Sequence, residues 1–286
     1  MTGTTPPEPT RVALPAITLS VHDVGDGPAV LLLHGFPDRA TLWSVQIARL
    51  ADAGYRVIAP DLRGFGDSDR PDDVEAYRLR HSVADMVALL GALEIERVVV
   101  VGHDYGAAVG WALAMRSASV RGYVALSVGH PNAFRAAGLA QRALSWYMLW
   151  FLHPGAAEAV LPADGWAFYR RWAHPGTEDD DLVETQIRDL SRPGALTAGL
   201  SWYRANVDPT TFVDEHPVEL PPVTCPVLGL IGEDDVALTE AQMAGSAAFV
   251  SGPFECVTLP GAGHWLPARH ADAVDEHLLA FLDRLD

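Results

Sequence analysis

The segment that most constrains the fold of this sequence is an apolar run that ends in a glycine-bounded turn. Arg97–Val101 is almost continuously β-branched, and the turn GHDYGAA follows it directly at 102–108. A strand, a sharp turn between small residues and a helix, in that order, form a nucleophile elbow. Such an elbow exposes its central side chain at the end of a buried strand, and that side chain is here Asp104. The pattern therefore predicts a nucleophilic aspartate on a strand-to-helix turn.

Further apolar runs alternate with longer segments of helical period. Four of them are predicted strands: Ala29–Leu33, Arg56–Ala59, Val227–Ile231 and Glu255–Leu259. Continuous aliphatic runs that end at glycine or proline suit strands buried on both faces. The sequence thus predicts the α/β class, with a mostly parallel sheet flanked by helices.

Two helices of the core are predicted from apolar residues spaced by three and four positions. The first is indicated by Val83, Met86, Val87, Leu90 and Leu93. Ser82 and Asp85 are placed as its capping box. The second covers Ala271–Leu285 and presents Val274, Leu278 and Phe281 on one face.

The middle of the chain has a different composition. It contains the tryptophans Trp146, Trp150, Trp166, Trp172 and Trp202. We therefore expect a helical cap at 131–215, inserted between core segments at 13–130 and 216–286. Residues 1–12 are polar and proline-rich, and we expect them to form a flexible N-terminal tail.

Charge and composition exclude several functions. The formal net charge is −17, which repels nucleic-acid phosphates and anionic lipid heads. All 20 basic residues are arginine, so chemistry that needs a lysine amine is excluded, including Schiff-base catalysis and a P-loop. The 11 histidines show no HExxH or HxH spacing, and Cys225 and Cys256 show no CxxC spacing. We expect no metal, no cofactor and two buried free thiols.

The sequence also bears on location. The first ten residues contain no apolar segment of a secretory signal, and no stretch reaches the roughly 18 to 20 apolar residues of a membrane span. We expect a soluble, cytoplasmic protein without membrane or nucleic-acid partners. Its assembly, as a monomer or a homo-oligomer, stays open.

An elbow nucleophile needs a histidine base and an acid that orients it, and candidates for both follow two other predicted strands. Asp234 and Asp235 come after Val227–Ile231, and His264 follows the strand that ends near Leu259. The order nucleophile, acid, histidine is the one found with this type of elbow. Because open α/β sheets place their sites at the carboxyl ends of strands, we expect the three groups to meet.

These motifs together resemble the alpha/beta-hydrolase superfamily and, within it, the epoxide hydrolases. The resemblance extends from about residue 30 to 281 and is carried by LLLHGFPD at 31–38, DLRGFGDSDRP at 61–71, GHDYGA at 102–107, GEDD at 232–235 and GAGHW at 261–265. It implies that the backbone N–H groups of Phe36 and Tyr105 form an oxyanion hole. It also assigns the acid to Asp235 rather than Asp234.

An aspartate nucleophile implies a particular reaction. A carboxylate, with an ordinary pKa near 3.9, is ionised at neutral pH and needs no base for its attack on a carbon that bears a leaving group. This attack forms a covalent intermediate, an alkyl ester on Asp104. His264, oriented by Asp235, would then activate water to hydrolyse that ester.

The leaving group separates two substrate classes. An epoxide oxygen leaves as an alkoxide and needs a proton donor, for which a tyrosine is suitable. By resemblance, WYMLWFLHPGAAEAVL at 146–161 and LSWYRAN at 200–206 supply the donors Tyr147 and Tyr203. Packing of both rings in an aromatic cap is the alternative. We expect an epoxide hydrolase that forms a vicinal diol from a small apolar epoxide and water.

Two other functions stay open. Haloalkane and haloacetate dehalogenases also use a nucleophilic aspartate on this turn. The residue directly after it is usually Trp in haloalkane dehalogenases and Arg in haloacetate dehalogenases, whereas this sequence has Tyr105. A non-catalytic binding protein on a hydrolase fold is the third hypothesis, because a fold alone implies no activity. The cap tryptophans suggest an apolar pocket for aryl or alkyl epoxides, without specifying which.

Overall fold

A mixed β-sheet forms the centre of the molecule. The computed structural model describes residues 7–177 and 180–285, and within these ranges eight strands form one sheet in the order β1-β2-β4-β3-β5-β6-β7-β8. The strands are β1 Thr10–Ala13, β2 Thr18–Val24, β3 Ala29–Leu33, β4 Arg56–Pro60, β5 Val98–His103, β6 Val120–Leu126, β7 Val227–Gly232 and β8 Phe254–Leu259. β2 pairs antiparallel with both β1 and β4, and the remaining neighbours are parallel. The predicted α/β class is confirmed.

Helices cover the sheet. They are α1 Ser44–Asp52, α2 Leu79–Ala92, α3 Tyr105–Arg116, α4 Pro131–Ala136, α5 Gly138–Leu144, α6 Trp146–Phe151, α7 Ala156–Val160, α8 Ala163–Ala173, α9 Asp181–Leu190, α10 Ala195–Asn206, α11 Glu240–Ala244, α12 Leu266–Arg269 and α13 Ala271–Asp283. Short 3₁₀ helices lie at Ala40–Trp43, Val74–Tyr77 and Gly245–Phe249. In the part of the chain that the structure describes, no helix is both long and apolar enough to span a bilayer.

The central strands form because their sequences are aliphatic throughout. β3, β5 and β7 are buried along their whole length. β-branched and aliphatic side chains are favoured where both sheet faces are covered by helices. The predicted strands lie within two residues of the observed bounds, whereas β1, β2 and β6 were not predicted. β6 is interrupted in sequence by Arg121 and Gly122, and β2 carries polar residues.

The N-terminal tail is shorter than expected. Thr10–Ala13 forms β1, which pairs with β2, and Arg11 forms a salt bridge with Asp69. The side chains of this edge strand are mostly exposed, so the sequence carries no apolar pattern that would indicate it. The first six residues of the expected tail lie outside the described residues.

The capping box at Ser82 and Asp85 was wrong. Helix α2 begins at Leu79, and both side chains serve other contacts. The Ser82 hydroxyl is hydrogen-bonded to that of Tyr105, and Asp85 forms a buried salt bridge with Arg63 at 2.7 Å. The two polar residues therefore tie α2 to its neighbours instead of starting it.

The helices α4 to α10 all lie between β6 and β7 in sequence, over Pro131–Asn206. We call this segment the cap, and the remainder the core. The domain limits at 131 and 215 stay a prediction. Cys225 and Cys256 are free, and both are half-buried rather than fully buried.

Candidate active site

Asp104 lies on the turn between β5 and α3. Its backbone has φ 51° and ψ −121°, a conformation that non-glycine residues rarely adopt. The turn is close to neighbouring backbone, because a Cβ on Gly106 would lie 2.2 Å from the carbonyl oxygen of Leu33. The elbow therefore holds the Asp104 side chain in one position at the end of β5.

The Asp104 carboxylate is stabilised by backbone N–H groups. Its Oδ1 accepts the N–H of Phe36 at 2.8 Å, and the N–H of the next residue, Tyr105, helps to lower the pKa of the carboxyl group. Its Oδ2 lies 3.7 Å from Nε2 of His264. Burial alone would raise the pKa of Asp104, but the charged ring of His264 beside it lowers that pKa below the usual value. The carboxylate is therefore ionised at neutral pH.

His264 lies between two carboxylates. Its Nδ1 is 2.9 Å from Oδ2 of Asp235, and its Nε2 faces Asp104. Asp235 is buried and also accepts the backbone N–H groups of Ala237 and Leu238, at 2.9 and 3.1 Å. Burial opposes the charge on His264, but the two carboxylates outweigh it and raise the pKa of His264 to about 10. The resting ring is an imidazolium.

The structure places Asp235, and not Asp234, beside the histidine. Asp234 is exposed at the start of the loop after β7. Its backbone N–H donates to the carbonyl of Ala262, so its position is set by the backbone of the loop.

Two tyrosines of the cap lie above Asp104. Tyr147 on α6 and Tyr203 on α10 are buried, and their rings contact each other edge-on with centroids 6.0 Å apart. Burial, and then the negative charge of Asp104, raises the pKa of both hydroxyls above the ordinary value of a tyrosine. Both hydroxyls are therefore neutral at neutral pH.

The aromatic ring of Phe36 joins the core to the cap. Its centroid lies 5.6 Å from that of Tyr203 and 5.9 Å from that of Phe151, in edge-on contacts. Gly199 on α10 makes this approach possible, because a Cβ there would lie 2.9 Å from the Phe36 ring. One residue thus supplies an N–H to Asp104 and a packing surface to the cap.

A buried polar network beside the site was not predicted from sequence. Asp38 accepts the side-chain amide of Gln186 at 2.7 Å and the indole N–H of Trp265 at 3.0 Å. Tyr169 donates its hydroxyl to Gln186 Oε1 at 2.6 Å and is 3.1 Å from Nε2 of His174. Burial raises the pKa of Asp38 to about 7. The network connects α8 and α9 of the cap to the loop after β3.

Two members of that network, Asp38 and Trp265, lie in motifs of the sequence, and Trp265 ends the GAGHW segment. Asp38 ends the HGFPD segment, where a carboxylate follows an apolar loop. Gln186 and His174 lie in ordinary helical or turn sequence, and nothing in their neighbourhood marks them.

The two histidines next to the site in sequence have structural roles. His34 contacts the Gly35 carbonyl through Nδ1 and accepts the backbone N–H of Leu62 at 2.9 Å. His103 is 2.9 Å from the carbonyl oxygen of His264. Burial lowers the pKa of His103 to about 4, so the ring is neutral and donates this hydrogen bond.

Two cavities of different size meet at the nucleophile. One has a volume of about 30 Å³ and the other about 430 Å³. Asp104, Tyr147 and Tyr203 line both cavities. Of the five cap tryptophans, Trp172 lines the small cavity and Trp202 the large one. The other three line neither and pack within the cap instead.

Known proteins resemble the chain over nearly its whole length. The sequence pattern of the alpha/beta hydrolase family matches residues 30–277. Epoxide hydrolase A of Mycobacterium tuberculosis is 34% identical, with 94% of this chain and 95% of that protein covered. The epoxide hydrolase of Caballeronia sordidicola is 31% identical, with coverages of 96% and 93%.

Solved structures agree. Epoxide hydrolase A of Mycobacterium thermoresistibile superposes with a TM-score of 0.81 at 29% identity, and covers 97% of this chain and 98% of its own. A structure described among novel epoxide hydrolases in metagenomes from hot environments gives a TM-score of 0.86 at 32% identity, with coverages of 96% and 98%.

Proposed function

Because this chain belongs to the alpha/beta hydrolase family and is an epoxide hydrolase, we propose that it opens its substrate through a covalent ester on Asp104 and releases a vicinal diol. One observation carries the proposal. An ionised carboxylate faces two buried, neutral tyrosine hydroxyls on one side and a histidine on the other. These are the groups that each half of the reaction needs.

The first step forms the ester. An Oδ of Asp104 attacks one ring carbon, and the bond from that carbon to the epoxide oxygen breaks. The oxygen takes a proton from Tyr147 or Tyr203, which leaves a tyrosinate. The imidazolium of His264 supplies the proton that restores the tyrosine, so the ring becomes neutral.

Loss of the Asp104 charge favours that transfer. Two carboxylates raise the pKa of His264 in the resting enzyme, and esterification neutralises one of them. The imidazolium therefore gives up its proton more readily once the ester exists. The same ring is then available as a base when a base is needed.

The second step hydrolyses the ester. Neutral His264, held by Asp235, removes a proton from water as the water attacks Cγ of Asp104. The N–H groups of Phe36 and Tyr105 bind the resulting oxyanion. Collapse expels the diol oxygen, which takes the proton from His264. The new Asp104 carboxyl group returns its proton to the ring, and the resting charges are restored.

The experiment that tests this mechanism is intact-protein mass spectrometry on His264→Gln, which should stop at the ester. After incubation with styrene oxide, we expect an added mass equal to the whole epoxide. The adduct should be absent when Asp104→Asn is combined with His264→Gln. The control is His216→Gln, which replaces an exposed histidine and keeps His264. This variant should hydrolyse the ester normally and therefore show no adduct.

A haloalkane series run in parallel decides between leaving groups. An adduct equal to a haloalkane minus its hydrogen halide, with none from any epoxide, would contradict the proposal. It would also reduce Tyr147 and Tyr203 to packing residues. No adduct from either series would contradict the covalent mechanism on Asp104.

The substrate side of the proposal is a small apolar epoxide together with water. The mostly apolar lining of the larger cavity supports it, since side chains such as Met115, Phe134 and Val207 make up more of that lining than charged ones such as Arg116. A cytoplasmic location and the absence of nucleic-acid partners stay predictions from the sequence.

A further inference from the structure

We propose that the large cavity receives the entire organic part of the substrate and the small cavity is reserved for the hydrolytic water. The enzyme is then selective for terminal epoxides, in which one ring carbon carries only hydrogen. This inference rests on the proposed function and assigns a substrate class to the same site.

The first argument is the division of the catalytic groups between the cavities. The nucleophile Asp104 and the donors Tyr147 and Tyr203 border both spaces, so the epoxide ring lies where the cavities meet. His264 borders only the small cavity. The water that His264 activates must therefore approach Asp104 from the small side.

The second argument is size. The volume of about 30 Å³ holds two or three water molecules at most, because each needs roughly 10 to 15 Å³ of such space. It has no room for a phenyl group or an alkyl chain. The other cavity, at about 430 Å³, lies within the range of roughly 300 to 1,000 Å³ typical of ligand pockets.

The third argument is the stiffness of the small cavity's walls. Trp265 is fixed by its hydrogen bond to Asp38 and by stacking on His174, at a centroid distance of 3.8 Å. Tyr169 is fixed by its hydrogen bond to Gln186. Trp172 packs on Tyr147, with centroids 5.0 Å apart. Widening this cavity would break buried hydrogen bonds or ring contacts, so the walls do not yield to a larger group.

The large cavity has the opposite character. Its lining away from the nucleophile is mostly apolar and includes Ala112, Met115, Phe134, Met148 and Leu238. Exposed residues such as Arg116 and Thr211 lie along it as well, so it reaches the protein surface. An apolar substituent can therefore enter from solvent and lie beside Asp104 without approaching His264.

These features predict two penalties for a trans-disubstituted epoxide. Its second substituent has to enter a space of water size, which weakens binding. If an ester forms, that substituent occupies the position from which water attacks, which slows hydrolysis. A terminal epoxide meets neither penalty, because only hydrogen points towards the small cavity.

The test compares kcat/KM of the wild-type enzyme for styrene oxide, trans-β-methylstyrene oxide and trans-stilbene oxide, which place hydrogen, methyl and phenyl on the second carbon. We expect the values to fall in that order, with stilbene oxide about 100-fold below styrene oxide. Stilbene oxide turnover within threefold of styrene oxide would overturn the inference and leave the proposed function intact. Failure of styrene oxide both to turn over and to label His264→Gln would overturn the proposed function itself.

Variants in the wall of the small cavity sharpen the test. Trp172→Ala opens this cavity and should raise the ratio of stilbene oxide to styrene oxide kcat/KM at least about tenfold. Trp146→Ala is the matched control, because Trp146 belongs to the same aromatic cluster and lines neither cavity. The control should leave the ratio unchanged.

A second, smaller change keeps the inference testable if Trp172→Ala does not fold. Val236 lines only the small cavity and is half-buried, so Val236→Ala enlarges that space with little loss of packing. We expect this variant to raise the ratio of trans-β-methylstyrene oxide to styrene oxide kcat/KM. A folded variant of either kind with an unchanged ratio would contradict the inference.

Discussion

The two halves of the active site are held in place by different means. In the core half, Asp104, Asp235 and His264 follow the strands β5, β7 and β8, and backbone N–H groups fix the first two carboxylates. In the cap half, Tyr147 and Tyr203 stand on separate helices and contact each other and a cluster of rings. The core half is thus positioned by main-chain geometry and the cap half by side-chain packing.

This difference teaches where the site tolerates change. Backbone that approaches backbone cannot yield to an added atom, whereas aromatic rings can shift by fractions of an ångström. The core half should therefore set whether any reaction occurs, and the cap half should set the substrate and the rate of ring opening.

The largest effect should come from the nucleophile in the core half. Asp104→Asn removes the charge that attacks the epoxide, so kcat for styrene oxide should fall at least about 10⁴-fold. Asp234→Asn, at the exposed neighbour of Asp235, should stay within twofold of wild type. Retention of more than a hundredth of the activity in Asp104→Asn would mean that the core half does not carry the nucleophile.

The cap half should show partial and cooperative losses. Tyr147→Phe and Tyr203→Phe should each lower kcat for an epoxide about 10- to 100-fold, because one hydroxyl remains, and the double variant about 10³-fold. Tyr77→Phe is a matched control, since its buried hydroxyl bonds the Pro71 carbonyl away from the site. Equal activity in the double variant and wild type would show that the hydroxyls of the cap half take no part in the reaction.

Alanine substitutions at two glycines compare the rigidity of a backbone contact with that of a ring contact. Gly106→Ala places a Cβ against the Leu33 carbonyl and should lower the free energy of unfolding by about 3 kcal/mol. Gly199→Ala meets the ring of Phe36, and the gain in helix propensity partly offsets that contact, so the change should stay within about 1 kcal/mol. Urea unfolding of both variants measures the difference. Similar losses would show that the two halves are equally rigid.

The smallest effect concerns the electrostatic link between Asp104 and His264. Asparagine imitates the neutral ester, so Asp104→Asn should lower the pKa of His264 from about 10, by more than about one unit. Titration of isotope-labelled histidine by NMR measures it. Because the pKa of His264 is 6.5 in the unfolded chain and about 10 in the folded one, protonation of the ring stabilises the fold. This stabilisation is fully present below pH 6.5 and is lost as the pH rises through about 10. A flat stability curve between pH 7 and 10 would argue against the charged resting ring.

The sequence predicts the core half better than the cap half for the same physical reason. Aliphatic strands and a glycine-bounded elbow leave a local pattern, so the sequence places Asp104, His264 and the pair Asp234 and Asp235 at strand ends, and the resemblance chooses Asp235 from that pair. Tyr147 and Tyr203 were found only through resemblance, because a tyrosine that donates a proton and one that packs have the same neighbours in sequence.

Contacts between distant segments were beyond sequence reasoning. Asp38, Gln186 and Trp265 come from three separate parts of the chain and meet only after folding. The capping box failed for a related reason, since Ser82 and Asp85 satisfy a local rule but bind partners on other elements. Side-chain volume decides the sizes of the two cavities, and no pattern of residue spacing reports it.

The meeting of two cavities at Asp104 has a kinetic consequence. Where a substrate and its co-substrate share one pocket, a second substrate molecule can occupy the place of the co-substrate, and the rate falls at high concentration. Here an aryl or alkyl group is too large for the space beside His264. Excess epoxide therefore cannot displace the attacking water, and turnover should follow simple saturation up to the solubility limit of the substrate.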